Sequence, residues 1–172
     1  MKWRIIMSKI ELIRVDFRMI HGQVMVKWLK ATGAQIIAAV NDDIANDPFL
    51  ADIYGMAAPS NVDIKVFTKD KVIDYFNNNN SDNSKVLVLF KNVKDAHYCY
   101  EKGFPMEHLQ IGGLGSGPDR INVHGPITLN AEDAKLLKDM NDKGVKIEFQ
   151  QVPDDSKASL DKILKKYDFG LN

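Results

Sequence analysis

Residues 14–24 read RVDFRMIHGQV and separate two segments of different periodicity. The segment before them, residues 10–13, is mainly apolar with one polar residue in alternation, which predicts a β-strand. The segment after them predicts a helix, because its apolar residues recur on one helical face. These residues are Val24, Met25, Trp28 and Leu29. The stretch therefore predicts a strand, a short polar loop and a helix, with His21 in the loop.

This loop contains the residue types that suit a histidine carrying a phosphoryl group. A neutral imidazole is a nucleophile near pH 7, and a bound phosphoryl group adds about two negative charges. Arg14 and Arg18 offer guanidinium groups for that charge, and the first helix amides beside Gly22 are free anion donors. Asp16 either fixes the tautomer of the ring or favours its protonated form. A histidine that only makes structural hydrogen bonds is the alternative.

The same stretch resembles the active-site motif of the IIB components of the mannose-sorbose family of the bacterial phosphoenolpyruvate-dependent sugar phosphotransferase system. The resemblance continues along nearly the whole chain. Further similar segments are Asn41–Asp47, Ala57–Pro59, Leu89–Asn92 and Ile111–Gly113. One position departs from the pattern, because Phe17 stands where many members have a second acidic residue.

The resemblance implies a phosphoryl carrier and transferase, a protein-N(pi)-phosphohistidine–sugar phosphotransferase. In this family His21 would accept the group from a phosphorylated IIA protein and pass it to a sugar held by the membrane IIC and IID permease subunits. Arg14, Arg18 and the amides around Gly22 would bind the phosphoryl oxygens, and Asp16 would assist. Neither a metal nor an organic cofactor is implied. The alternative is a non-catalytic module of the same fold that binds phosphate or a nucleotide.

Two apolar residues of the loop, Phe17 and Met19, are candidates for partner contact, and Phe17 is the better one because it lies in the loop itself. Members of the family transport mannose, fructose, sorbose or an amino sugar such as N-acetylgalactosamine, and neither motif nor composition identifies the sugar for this chain. The departure at Phe17 favours the amino-sugar branch over mannose.

Composition narrows the function further. The 172 residues suit a single domain, expected at 8–172, with residues 1–7 as an N-terminal extension or alternative start. Lys plus Arg equals Asp plus Glu at 23 each, so no net field favours nucleic acid. Cys99, the single cysteine, excludes an internal disulfide and fits a buried helix face in a reducing cytosol. Together with the resemblance, which implies a membrane permease as partner, this predicts a cytoplasmic protein that associates peripherally with that permease.

The rest of the chain alternates strand and helix patterns, which predicts an α/β fold: an open, twisted, mainly parallel sheet with helices on both faces. Residues 86–90 are continuously apolar and predict a central strand. Residues 146–152 alternate and predict a half-exposed strand near the sheet edge, so the fold allows one antiparallel edge strand. After Asp47 and Pro48, a helix is expected to pack through four residues. They are Phe49, Leu50, Ile53 and Tyr54.

Ligand sites in such sheets lie outside the carboxyl ends of the strands. The loops expected at that edge, which we call the rim, are residues 16–21, 41–46, 91–92 and 112–117. They contribute candidate supporting residues, and one of the paired carboxylates Asp42 and Asp43 is expected to cap or brace the active loop. The set is Asn41, Asp42, Lys91, Asn92, Gly112 and Gly113.

The remaining histidines lack metal-ligand spacing in the sequence. His97 is predicted on a solvent-facing helix surface, His108 at a strand start and His124 in a turn at residues 122–125. We therefore expect no metal site.

Overall fold

A computed structural model describes residues 9–78 and 83–171. The predicted N-terminal extension at residues 1–7 lies outside the described residues. So do residues 79–82, the centre of a polar tract that the sequence places at residues 77–83.

Strands and helices alternate along the described chain. The strands are β1 (Lys9–Asp16), β2 (Ile36–Val40), β3 (Asp63–Phe67), β4 (Lys85–Phe90), β5 (His108–Gly113), β6 (Ile121–His124), β7 (Ile127–Leu129), β8 (Lys146–Phe149) and β9 (Ala158–Ser159). The helices are α1 (Leu29–Thr32), α2 (Asp42–Ala45), α3 (Pro48–Met56), α4 (Lys69–Asn78), α5 (Val93–Glu101), α6 (Ala131–Asp142) and α7 (Leu160–Lys166). A π-helical segment, Val24–Trp28, runs directly into α1.

Seven of the described strands form one sheet in the order β3-β2-β4-β1-β5-β8-β9. All neighbours are parallel except β9, which pairs antiparallel with β8. The predicted fold class, including one antiparallel edge strand, is therefore confirmed. Strand β1 lies between β4 and β5, so the end of β1 and its following loop are at the middle of the sheet.

Strand β4 separates two hydrophobic layers, one on each face of the sheet. Alternate side chains of β4 enter different clusters: Val86, Val88 and Phe90 face one layer, while Leu87 and Leu89 face the other. All five are fully buried, which confirms the predicted central strand. The first layer includes residues of helices α4 to α7. The second layer includes residues of the π-helical segment and α1, and partly buried Tyr54 of α3 packs against it.

Strand β8 lies near the sheet edge as predicted, next to the edge strand β9, but it is not half-exposed. It ends at Phe149, and β9 covers its outer side. Glu148 explains the misleading pattern, because this polar residue is buried and ion-paired with Lys146 and Lys157. Burial raises the pKa of Glu148, but hydrogen bonds from both lysines, with the charges of Lys157 and His108, outweigh it and hold that pKa at about 2.

Two further predictions are wrong. The segment predicted as a turn at residues 122–125 is mostly strand β6, which forms an antiparallel hairpin with β7. Helix α3 begins as expected, since the Asp47 carboxylate accepts hydrogen bonds from the amides of Phe49 and Leu50. However, Phe49 and Ile53 are 73% and 45% exposed, so α3 turns most of its apolar face to solvent.

Candidate active site

The candidate site forms where three neighbouring strands end at one rim. Strands β1, β4 and β5 end at Asp16, Phe90 and Gly113 respectively. The amide of Phe17 donates a hydrogen bond to the Gly113 carbonyl oxygen over 3.0 Å, which ties the loop after β1 to the end of β5. Backbone contacts therefore hold the histidine loop against the glycines that follow β5.

His21 is held through one ring nitrogen. Its Nε2 lies 2.9 Å from Oδ2 of Asp16, a carboxylate that is fully buried at the end of β1. An ionised carboxylate only accepts, so the proton of the neutral ring lies on Nε2 and the lone pair lies on Nδ1. The contact thus favours the tautomer in which Nδ1 carries no proton.

Arg14 contacts the Asp16 carboxylate that holds His21. Its guanidinium is fully buried, and Nη2 lies 3.1 Å from the same Asp16 oxygen that contacts His21. The other Nη contacts are with Gln110 Oε1 at 2.5 Å and with the carbonyl oxygens of Gln150 and Gln151 at 2.9 and 2.8 Å. Burial lowers the pKa of Arg14, while the Asp16 carboxylate opposes that shift.

These contacts correct the prediction that Arg14 binds phosphoryl oxygens. Described residues engage all four Nη hydrogens, and Nε is buried without a hydrogen-bond partner among them. The guanidinium therefore positions Asp16, and Asp16 positions His21.

The glycines after β5 make room for this arrangement. A side chain at Gly112 would overlap the Arg14 guanidinium, and a Cβ at Gly113 would lie 3.0 Å from Asp16 Oδ1. The other side of the guanidinium faces the Trp28 ring, whose centroid is 4.9 Å from Cζ. Gly112 and Gly113 are thus supporting residues because they admit the buried Arg14–Asp16 pair.

Arg18 is placed differently from Arg14. Its side chain is 38% exposed, its Nε lies 3.6 Å from Asp16 Oδ1, and its Nη2 donates to Gln23 Oε1 at 3.0 Å. An exposed guanidinium with few contacts can turn toward a neighbouring anion at little cost. Beside it, Gly22 has open space, since a Cβ there would meet no heavy atom within 4 Å.

Most of the other rim residues stabilise helices. Asn41 accepts from the Ile44 amide and begins α2, while Asn92 accepts from the Asp95 amide and begins α5. Asp42 accepts from the backbone N–H of Lys69 at 2.8 Å, so it braces the start of α4 rather than the active loop. Lys91 is exposed after β4. These residues lie at the rim as predicted, but the hydrogen bonds of the first three link them to helix starts.

The two apolar loop residues have different environments. Phe17 is 44% exposed and lines a cavity of about 260 Å³ with Arg18 and the segment Gly112–Ser116. Met19 is buried in the core with a left-handed backbone, φ 58°, so its predicted role as a contact residue is wrong. Phe17 therefore remains the candidate for partner contact.

Sequence reasoning missed the residues that hold Arg14. Gln110 lies inside the otherwise apolar β5, and its side-chain amide also donates to Gln150. The sequence pattern indicates Trp28 only as part of an apolar helix face. In the structure its Nε1 also donates a hydrogen bond to the Gln151 carbonyl oxygen at 3.0 Å. A buried glutamine in an apolar strand is the signal that could have revealed the network, since a buried polar group needs a partner.

The other histidines form ion pairs or carbonyl contacts. His97 is partly exposed on α5, and its Nε2 lies 2.8 Å from Asp139 and 3.9 Å from Glu101. These three side chains could surround a cation, but the Lys143 ammonium already contacts both carboxylates. His108 pairs with Glu148, and His124 contacts the Ser156 carbonyl oxygen.

Cys99 is buried, as the sequence predicts. Burial raises the pKa of its thiol to about 12, so the thiol stays protonated and unreactive near neutral pH.

Fold and site together define an α/β protein with a candidate phosphoryl-accepting histidine at the carboxyl rim of a parallel sheet. The family model described as "PTS system sorbose subfamily IIB component" matches residues 10–172. The chain belongs to this family, and it is accordingly a phosphoryl carrier in sugar uptake. This confirms the predicted family and carrier function.

Curated relatives and solved structures agree with this family assignment. The fructose-specific EIIB component of Bacillus subtilis (strain 168) is 31% identical over 92% of this chain and 98% of its own length. The mannose-specific EIIAB component of Escherichia coli (strain K12) is 29% identical over 92% of this chain and 49% of its own length.

Among solved structures, manxB from Thermoanaerobacter tengcongensis matches with 35% identity and a TM-score of 0.86, covering 94% of this chain and 98% of its own. The IIBSor domain of the sorbose permease from Klebsiella pneumoniae matches with 30% identity and a TM-score of 0.84, covering 92% and 98%. These coverages extend the likeness over nearly the whole described fold.

Over residues 9–78 and 83–171, the structure contains no helix that is both long and apolar enough to cross a membrane.

Proposed function

We propose that His21 accepts a phosphoryl group from a phosphohistidine of a cognate IIA protein or domain and passes it to a sugar at the IIC and IID permease. The protein would act in the cytoplasm, at the inner face of the membrane, as a protein-N(pi)-phosphohistidine–sugar phosphotransferase. The observation that carries this proposal is the 2.9 Å contact from His21 Nε2 to buried Asp16, which leaves Nδ1 as the nucleophile.

In the first step the Nδ1 lone pair attacks the donor phosphorus in line. A P–N bond to His21 forms while the P–N bond of the donor breaks, and its electron pair returns to the donor imidazole. Attack makes the His21 ring cationic, because Nε2 keeps its proton. The Asp16 carboxylate stabilises that charge through the existing hydrogen bond, and buried Arg14 keeps the carboxylate in place.

Arg18 and the first helix amides would bind the transferred oxygens. Arg18 is the guanidinium near His21 that is exposed enough to turn, and Gly22 leaves the start of the helix uncovered. Each charge-assisted hydrogen bond to the phosphoryl group would contribute about 1.5–3 kcal/mol. The charge of the group can therefore be neutralised by protein donors.

In the second step a sugar hydroxyl oxygen forms the new P–O bond. The P–N bond to His21 breaks, its electron pair returns to Nδ1, and the hydroxyl proton leaves to the permease or to solvent. Both steps need an open rim, and exposed Phe17 next to the 260 Å³ cavity suits contact with the successive partners.

The test is phosphorylation from phosphoenolpyruvate with the general phosphotransferase proteins and the cognate IIA. We expect acid-labile, alkali-stable phosphate on the wild-type chain and none on His21→Ala. His108→Ala is the matched control, because His108 begins β5 and therefore lies at the end of the sheet opposite the rim. Equal labelling of wild type and His21→Ala would show that the phosphoryl group is carried elsewhere.

A further inference from the structure

Helix α3 presents an apolar surface to solvent that the phosphoryl site does not use. Its exposed fractions reach 73% at Phe49, 45% at Ile53 and 84% at Met56, and Leu50 is also exposed. These residues recur at intervals of three and four, so they lie on one side of the helix. We call Phe49, Leu50, Ile53 and Met56 the α3 surface. Contiguous exposed apolar side chains of this kind mark interaction sites in soluble proteins.

The α3 surface lies in an acidic region of a chain whose net charge is zero. Residues 31–64 contain five aspartates and neither lysine nor arginine. Asp42 is paired with Lys69, but Asp43 and Asp52 are exposed on α2 and α3. The segment therefore combines an apolar surface with two carboxylates, those of Asp43 and Asp52, that form no ion pair among the described residues, which suits a partner that is apolar and basic.

This surface lies on the same side of the sheet as the helix that follows His21. Tyr54 of α3 packs against the hydrophobic cluster that contains Val24 and Trp28. Val26, on the helix after His21, is 70% exposed. Helix α3 follows the rim loop after β2, so a partner on the α3 surface would lie on the face of the sheet that also carries the helix after His21.

We propose that the α3 surface docks on the basic cytoplasmic loops of the membrane permease that receives the phosphoryl group. Cytoplasmic loops of membrane proteins carry an excess of lysine and arginine, which complements the aspartates around α3. The cytoplasmic lipid surface is anionic and would repel the same aspartates. Charge therefore favours the permease over the bilayer. This inference rests on the proposed function, because only a phosphoryl carrier for uptake needs a permease.

The experiment compares two α3 variants with the wild type. Phe49→Ser/Ile53→Ser/Met56→Ser removes the apolar centre, and Asp52→Lys reverses one charge at its edge. Ile121→Ser is the control, because Ile121 is an exposed apolar residue on β6. Thermal melting shows that each variant folds. Binding is measured by sedimentation with inverted vesicles from cells that express the cognate IIC and IID subunits.

We expect both α3 variants to bind the permease vesicles at least tenfold more weakly, while IIA phosphorylates them at the wild-type rate. The wild type and Ile121→Ser should bind equally, and added salt should weaken that binding. Equal binding of the α3 variants would overturn the inference, as would wild-type binding to vesicles without IIC and IID. Slower labelling by IIA would assign the surface to IIA, and a wild-type dimer that the variants disrupt would assign it to a second copy.

The same assays separate this inference from the proposed function. If IIA does not label wild-type His21, the proposed function fails, whereas vesicle binding can still be measured because it requires no phosphoryl group. If labelling is normal and vesicle binding does not depend on α3, only the docking surface is wrong.

Discussion

Asp16→Asn tests the chain of contacts from Arg14 through Asp16 to His21. The substitution preserves the shape of the side chain but removes the charge that faces Arg14 at 3.1 Å and His21 at 2.9 Å. Both Arg14 and Asp16 are fully buried. The variant therefore leaves a guanidinium without its counter-charge inside the protein, and the histidine without its fixed tautomer.

Two effects of known size follow. Removing one partner of a buried ion pair costs about 3–5 kcal/mol, and the asparagine oxygen still accepts a hydrogen bond, so we expect about 3 kcal/mol. For a chain of this length that loss lowers Tm by about 6–12 °C. Loss of the group that orients a reactive histidine costs about 10–100-fold in activity, and we expect phosphorylation by IIA to slow by that factor.

Urea unfolding and the initial rate of labelling by phosphorylated IIA measure the two effects separately. Asp74→Asn is the matched control, because Asp74 is exposed on α4 and is expected to change neither quantity. An Asp16→Asn protein with wild-type Tm and wild-type labelling rate would refute the reasoning, since the buried contacts would then matter neither to the fold nor to His21.

Three further predictions use other parts of the structure. Arg18→Ala should slow labelling by at least tenfold with an unchanged Tm, because Arg18 is exposed and makes few contacts; an unchanged rate would remove Arg18 from the mechanism. Gly112→Ala should destabilise the fold by about 1–3 kcal/mol, because the added Cβ would overlap the Arg14 guanidinium. Gly22→Ala is the control and should leave stability nearly unchanged, because a Cβ there meets no heavy atom within 4 Å. Equal Tm values in the two variants would contradict this prediction. Glu148, with its pKa lowered from 4.5 to about 2, stabilises the fold above pH 4.5 and loses that contribution as pH falls toward 2. Glu148→Gln should thus cost up to about 3 kcal/mol at pH 7 and almost nothing near pH 2, and urea unfolding with the same difference at both pH values would exclude the linkage.

Sequence patterns predicted the parts of the fold in which apolar side chains are buried and polar side chains are exposed. Residues 86–90 are apolar throughout, and β4 is buried on both faces. The pattern failed where a polar residue is buried or an apolar one exposed. Glu148 made β8 resemble a half-exposed strand, although ion pairs with Lys157 and His108 of other segments permit its burial. On α3, helical spacing predicted a packed face that the neighbouring elements do not cover.

The sequence by itself determined the residue types of the site, the family and the rim at which His21 lies, because the motif is local and the alternation of strand and helix is repeated along the chain. The roles of the two arginines depended on the tertiary structure. Arg14 and Arg18 are both cations beside Asp16 in sequence, yet one is buried and the other 38% exposed. That difference arises from Gln110, Gly112 and the residue 150–151 carbonyls, which lie about a hundred residues or more away along the chain and meet Arg14 only when β5 and β8 join the sheet.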